Sequence, residues 1–239
     1  MQLILLAAGQ GTRLPKKFKT SPKCLVKINN KTILEHNNNF YNKFKYKTIV
    51  SGYKNQKLDT FIKRNKFQKI INEKYKITNM VYSLFEVKAL KSKEIVICYA
   101  DIIFDPNIFE MLKKEKYKST IILKKNWLEV WKGRMNFKNI FNDAEDVIIK
   151  KNKLISIGQK IKNKLPQYQF MGIIKLKLID FKKLKQFFIK LKNPKVDFTT
   201  FLDLSLKNKV INLNVIKTKK FWYEVDSYAD INYTSKNIW

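Results

Sequence analysis

A chain of 239 residues that is 45% apolar is long enough to bury a sizeable core and too apolar to be disordered. Its formal charge of +31 suggests an anionic partner, yet only Arg13, Arg64 and Arg134 of the 50 basic residues are arginines. Arginine is what bidentate reading of phosphates and bases favours, and the lysines are scattered among Asn, Ile, Phe and Tyr, residues with AT-rich codons, so a nucleic-acid-binding protein is the weaker reading.

Gln2–Ala7 reads as a first, buried strand. It is too short to span a bilayer, no basic stretch precedes it and no small-residue cleavage site follows, so neither a signal peptide nor a membrane contact is expected. The expected location is the cytoplasm. Cys24 and Cys98, both in apolar surroundings, fit that, and no Cys or His spacing suggests a structural metal site. Ile33–Phe44 reads as a helix containing the single histidine, His36, which is read as structural. Lys47–Ser51 reads as a strand, Lys54–Arg64 as a helix and Phe67–Ile71 as a strand. Met80–Ala89 is helical, with Thr78 or Asn79 as its N-cap, and Glu94–Tyr99, the most apolar strand, is placed centrally.

The second half is less regular. Ser119–Lys124 reads as a strand, Asp146–Lys150 and Leu154–Ile157 as a hairpin turning at Lys151-Asn152-Lys153, and Gln169–Leu176 as a further strand. Leu178–Lys190 and Thr199–Leu206 read as helices, Ile211–Val215 and Trp222–Val225 as late strands. No internal repeat or Pro/Ser-rich linker interrupts the chain. The pattern predicts an α/β protein: a Rossmann-like, mixed but mostly parallel sheet with helices on both faces and a small acceptor-binding lobe. It is read as one domain, residues 1–239, with a nucleotide-binding half near 1–118 and an acceptor-binding half near 119–239.

The loop after the first strand carries Gly9-Gln10-Gly11-Thr12-Arg13. Glycines there let backbone amides approach an anion closely. Leu14 stands where a dinucleotide fingerprint needs a third glycine, and no Gly-Lys-Ser/Thr follows, so neither that fingerprint nor a Walker A loop is present. Taken whole, Leu-Ala-Ala-Gly-x-Gly-Thr-Arg-Leu followed by Pro22-Lys23 resembles the signature of the nucleotidyltransferases, of which the sugar-phosphate enzymes are the best-known group. One departure is visible: Pro15 comes one place after Leu14, where family members often carry a proline two places on.

The resemblance implies transfer of a nucleoside monophosphate to a small phosphorylated acceptor, with Arg13 and Lys23 as the catalytic cations and Mg²⁺ as the cofactor. It assigns the nucleotide to Leu6, Ala7, Ala8, Gly9, Gly11, Thr12, Arg13, Lys23 and Ala100. Asp101, just past the central strand, stands where ligands bind in open α/β folds, and the family holds its metal there. Asp226, in Trp222-Tyr223-Glu224-Val225-Asp226, is the expected second metal ligand, with Glu224 beside it. Asn79 and Ser83, four apart and so on one helix face, resemble the base- and ribose-side segment of the phosphocholine, phosphonate and phosphoglutamine cytidylyltransferases. Trp127-Leu128-Glu129-Val130-Trp131-Lys132-Gly133-Arg134, Asp143-Ala144-Glu145-Asp146, Gln169-Phe170-Met171-Gly172 and Asp197-Phe198-Thr199-Thr200 resemble that branch's acceptor side. From these come the acceptor candidates Trp127, Trp131, Arg134 and Gln169, joined by Glu224 from the phrase before Asp226, the two tryptophans either as an aromatic wall or as plain core. The expected activity is Mg²⁺-dependent transfer of CMP from CTP to a phosphocholine-, aminoethylphosphonate- or phosphoglutamine-type acceptor, with release of pyrophosphate. The competing enzyme reading is a hexose-1-phosphate nucleotidyltransferase, whose Gly-Thr/Leu-Ala phrase is absent. Expected partners are CTP and that acceptor, with no nucleic acid and no membrane, and a homodimer as the candidate assembly.

Overall fold

The computed structural model describes residues 1–161 and 163–238. β1 (Gln2–Ala7) leads into a loop with short 3-10 turns at Lys16–Phe18 and Lys23–Leu25. A small hairpin of β2 (Lys27–Ile28) and β3 (Lys31–Thr32) precedes α1 (Ile33–His36) and α2 (Asn38–Tyr41). β4 (Tyr46–Ser51), a 3-10 turn at Asn55–Leu58, α3 (Asp59–Arg64) and β5 (Gln68–Ile71) follow. Next come α4 (Met80–Phe85), β6 (Glu94–Tyr99), β7 (Ile102–Phe104) and α5 (Ile108–Lys114). The second half runs β8 (Thr120–Lys124), α6 (Trp127–Lys132), α7 (Phe137–Asp143), β9 (Glu145–Lys150), β10 (Lys153–Lys160) and β11 (Gln169–Lys177). It ends with α8 (Leu178–Leu191), α9 (Phe198–Lys207), β12 (Asn214–Thr218), β13 (Trp222–Glu224) and α10 (Tyr228–Asn237).

Nine strands form one sheet in the order β5-β4-β1-β6-β11-β8-β12-β10-β9. Only β11 and β10 run against the other seven, so the sheet is mixed but mostly parallel, as predicted. β6 lies inside it, between β1 and β11. Side-chain alternation in β1 explains why its apolar run is unbroken. Leu3, Leu5 and Ala7 face one core, with Phe40, Phe61, Ile108 and Trp127 from the helices on that side. Ile4 and Leu6 face the other, with Leu84, Phe181 and Phe201. Helices therefore cover both faces.

Several boundaries differ from the sequence reading. The helix predicted over 33–44 is broken at Asn37, whose buried side-chain amide donates to Ile102 O at 2.7 Å and accepts from Phe104 N at 3.3 Å. That amide serves the backbone of β7, which interrupts the helix. His36 Nε2 lies 2.8 Å from Ile28 O, a bond within the same corner of the fold. The helix from Met80 stops at Phe85, and its N-cap is Asn79. The late strand begins at Asn214 rather than Ile211; Ile211 and Leu213 are buried core residues that precede it. The hairpin turns on Lys151 and Asn152, both with left-handed φ (46° and 60°), the geometry of a tight two-residue turn.

Candidate active site

Parallel pairing of β1 with β6, in register from Gln2–Ile95 to Leu6–Tyr99, brings two carboxyl-end loops side by side. One is the glycine loop after β1; the other begins at Ala100, whose N–H donates to Leu6 O at 3.1 Å, and carries Asp101. The third contributor arrives from the far end of the chain. β13 pairs antiparallel with β7, Glu224 opposite Ile102, and Val225 N donates to Asp101 O at 3.0 Å. Asp226 is thereby set beside Asp101.

Between these two aspartates lies Lys23. Its Nζ donates to Asp101 Oδ2 at 2.7 Å and to Asp226 Oδ1, and its side chain is only 12% exposed. Burial pulls the ammonium pKa down, but Asp101 and Asp226 more than offset this, so it is raised and the lysine stays charged. Asp226 goes the other way: burial opposes ionisation, and Lys23 and Arg13 hold the carboxyl below its ordinary value. Arg13 Nη2 reaches Asp226 Oδ2 at 2.7 Å and Nη1 lies 3.9 Å from Asp143. The helix that follows is capped by Ser227 in a capping box with Asp230, so Asp226 is not the cap. Asp105, by contrast, does tie down a turn, accepting from Asn107 N at 2.8 Å.

Two hollows open on either side of this cluster and share Tyr99 as a wall. The smaller, about 110 Å³, is bordered by Leu6, Ala8, Gly9, Asn79, Ser83 and Asp101, all of them sequence candidates for the nucleotide or metal. Ser83 is buried, and its Oγ accepts from Asn72 Nδ2 at 2.9 Å. Ala7, Ala100 and Lys23 border an adjoining crevice with Gly9 and Asp101. Gly11 (φ +62°) lies under the stem of Lys23, where a Cβ would stand 3.1 Å from the lysine Cβ. Thr12 is exposed and borders neither hollow.

The larger hollow, about 230 Å³, has Trp131, Gln169, Glu224, Asp226 and Arg13 in its wall. Gln169 Nε2 is fixed by Glu145 O at 2.7 Å. Trp127 does not border it. That ring is buried, its Nε1 donates to Pro166 O at 3.1 Å, and it meets Trp131 edge-on at 5.0 Å. Arg134 is likewise an internal residue. Its side chain, 2% exposed, pairs with Asp230 at 2.7 Å and Glu224 at 3.3 Å and lies 4.9 Å over Trp131. Burial and the neighbouring Asp226 push the Glu224 carboxyl up to about 8, against the pull of Arg134.

Three carboxylates of the larger hollow, Asp143, Glu145 and Asp197, and the rings of Tyr99, Phe170 and Phe198 were not among the candidate residues. The acids and both phenylalanines fall inside the quoted phrases and Tyr99 directly precedes the candidates Ala100 and Asp101, so proximity was the available signal for each. Burial raises Glu145, whereas hydrogen bonds from Thr200 and Thr199 outweigh burial and lower Asp197. Gly172 (φ +75°) lets the Tyr99 ring pack against β11: a Cβ there would stand 2.8 Å from that ring, at a register shift in β11 between Phe170 and Ile174.

The fold is that of the nucleotidyltransferases. A solved phosphocholine cytidylyltransferase from Streptococcus pneumoniae superposes with a TM-score of 0.80 over 100% of this chain and 99% of that one, at 20% identity. The inositol-1-phosphate CTP transferase of T. maritima gives 0.79 over 98% and 95%, at 16% identity. Within that class, the chain is 29% identical to the CTP:phosphoglutamine cytidylyltransferase of Campylobacter jejuni over 97% of its own length and 98% of that protein. It is 31% identical to the choline-phosphate cytidylyltransferase of Streptococcus pneumoniae over 50% of this chain and 53% of that protein. No protein-family model matches the chain. The family resemblance read from the sequence, and the enzyme class it implies, are borne out by these relatives.

Proposed function

We propose that this protein transfers CMP from CTP to a small acceptor that bears a phosphate or phosphonate and also an ammonium group. The observation that carries the reading is the convergence of Lys23, Arg13, Asp101 and Asp226 at the carboxyl edge of the sheet, between two hollows that share one wall. That loop, central-strand and C-terminal residues meet at one point supports putting the reacting phosphorus there.

In the reaction an acceptor oxygen forms a bond to the α-phosphorus of CTP. The bond from that phosphorus to the α–β bridging oxygen breaks, and pyrophosphate leaves with the electron pair. Attacker, target and leaving group are all anionic, so catalysis rests on neutralising and aligning charge. Arg13 and Lys23 supply two positive charges at that point. Gly9 borders the nucleotide hollow, and a Cβ there would meet nothing within 4 Å, so open space lies at the loop backbone for a phosphate to approach.

The donor set fits magnesium. Asp101 and Asp226 present hard oxygens to a single internal cation, and Asp101 Oδ1 is buried with no hydrogen-bond partner. Among the described residues no group of three or more His, Cys, Asp or Glu forms a metal cage. Two carboxylates suffice for an ion that completes its shell with phosphate oxygens and water. When bound, Mg²⁺ would be held by Asp101 and Asp226 and would supply Lewis-acid stabilisation of the developing charge.

The acceptor's ammonium is argued from the larger hollow. Five of the 19 acidic residues border it; Asp226 is taken up by Lys23 and Arg13 and Glu224 is pushed up to about 8, which leaves Asp143, Glu145 and Asp197 to face an ammonium. Aromatic faces stand among them, and such faces attract cations as well. The assignment of the first half to nucleotide and the second to acceptor fits this arrangement, since these acids other than Asp226 and Glu224 lie on α7, β9 and the loop before α9.

The test is a pyrophosphate-release screen of four nucleoside triphosphates against phosphocholine, phosphoglutamine, 2-aminoethylphosphonate and glucose 1-phosphate. Release is expected with CTP and an amine-bearing acceptor. Asp101→Ala and Asp226→Ala should each lower kcat at least about a hundredfold, roughly 3 kcal/mol, with the fold intact. Turnover only with glucose 1-phosphate, or near-normal turnover in both variants, would overturn the reading.

A further inference from the structure

The position of Lys23 carries an inference about how metal and nucleotide enter. The lysine follows Pro22 in the 3-10 turn Lys23–Leu25, and the loop glycine Gly11 lies against its stem, so the ammonium is delivered to one place. Two of its N–H groups are taken by the two aspartates proposed to hold the metal. Arg13 faces the remaining oxygen of Asp226 at 2.7 Å. Asp101 and Asp226 thus each meet a cation with nothing else bound, and Arg13 also lies 3.9 Å from Asp143.

We propose that Lys23 is an internal counter-ion that occupies the metal position of the empty enzyme and is drawn away only when the triphosphate arrives. This rests on the metal reading of Asp101 and Asp226 given above. A divalent ion entering alone must displace a hydrogen-bonded ammonium and then face both it and Arg13. A triphosphate brings anionic oxygens to which Lys23 and Arg13 can turn, leaving both aspartates to the metal. Metal and nucleotide then bind as one linked event, and the linkage is reciprocal. The same switch moves the lysine from carboxylates to phosphate at the moment its charge is needed there.

The experiment measures binding of Mn²⁺ alone to the nucleotide-free full chain, by the electron paramagnetic resonance of the free ion. Wild type should bind weakly. Lys23→Met, which keeps the stem and removes the charge, should bind at least about tenfold more tightly, the equivalent of about 1.4 kcal/mol. Lys23→Arg should bind as weakly as wild type. Adding Asp226→Asn to Lys23→Met should abolish the gain. Thermal unfolding gives a second readout: Mn²⁺ should raise the midpoint of Lys23→Met and leave that of wild type unmoved. Lys23→Gln, which retains a donor between the carboxylates, serves in the same way should the methionine variant not fold. Equal Mn²⁺ affinity in wild type and the neutral variants would overturn the proposal. The underlying metal reading is judged separately, by whether chelator-treated wild type regains CTP turnover on adding Mg²⁺; turnover unaffected by chelation would sink both.

Discussion

Glu224 shows how a single side chain can be misjudged from its charge. Two residues before Asp226, and bordering the larger hollow, it is pushed up to about 8 because burial and the neighbouring carboxylate both favour the neutral acid. The fold therefore holds a proton on it that the unfolded chain, titrating near 4.5, releases earlier. Stability from this group is present in full below about pH 4.5 and is lost as pH rises through about 8. Glu224→Gln fixes the neutral state. In urea titrations without metal or nucleotide, the variant and wild type should have similar midpoints near pH 5, and wild type should fall behind as the pH approaches 9. Parallel pH profiles would show that Glu224 is ionised throughout. Arg134 teaches the complementary lesson. A scarce arginine in an acceptor-like phrase is legible as important, but its partners Glu224 and Asp230 lie 90 and 96 residues away. Nothing in local spacing says that it is sealed inside, holding Glu224 in place. Asp101, Asp226 and the glycines were legible as candidates because each sits in a short phrase at the end of a recognisable strand, and Lys23 because it follows Pro22 at a fixed distance from the glycine loop.

At the scale of elements, the loop after β1 divides its two glycines between separate duties. Gly11 adopts left-handed φ and packs under Lys23, so the fold itself requires it. Gly9 has an ordinary conformation and no neighbour where a Cβ would stand, so in the ligand-free chain nothing requires it. Gly9→Ala should leave stability within about 0.5 kcal/mol of wild type and raise the KM for CTP, because the methyl would enter the space a phosphate needs. Gly11→Ala should lose about 1–2 kcal/mol in denaturant unfolding, since an L-residue is strained there. A Gly9→Ala enzyme with unchanged CTP kinetics would remove this loop from triphosphate binding. Local pattern predicted the strands on which such loops hang. It failed at α1 and α2, where the demand of β7 for the Asn37 amide overrides helical periodicity, and at β12, where a buried approach segment reads like a strand. Both failures come from contacts distant in the chain.

The whole molecule sets two charge scales against each other. Alternating strands and helices announced an α/β sheet, but the insertion of antiparallel β11 between β6 and β8 is a long-range pairing that periodicity does not contain. That insertion is what brings Gln169 and the Gly172 bulge to the candidate site and to the wall of the larger hollow. A protein of charge +31 attracts CTP from a distance, and more weakly the acceptor, whose phosphoryl group outweighs its ammonium, while Asp143, Glu145 and Asp197 at the hollow act on that ammonium only at close range. Salt separates these effects, because the screening length shrinks from about 30 Å at 0.01 M to about 8 Å at 0.15 M. Raising ionic strength across that interval should lower kcat/KM for CTP. It should lower kcat/KM for the ammonium-bearing acceptor less steeply, because that acceptor carries a smaller net negative charge than CTP and the short-range pairing inside the hollow is not screened. The same salt should raise the thermal midpoint by relieving the repulsion among 50 basic side chains. Parallel salt dependence for the two substrates would show that the acid-lined hollow does not select a cation.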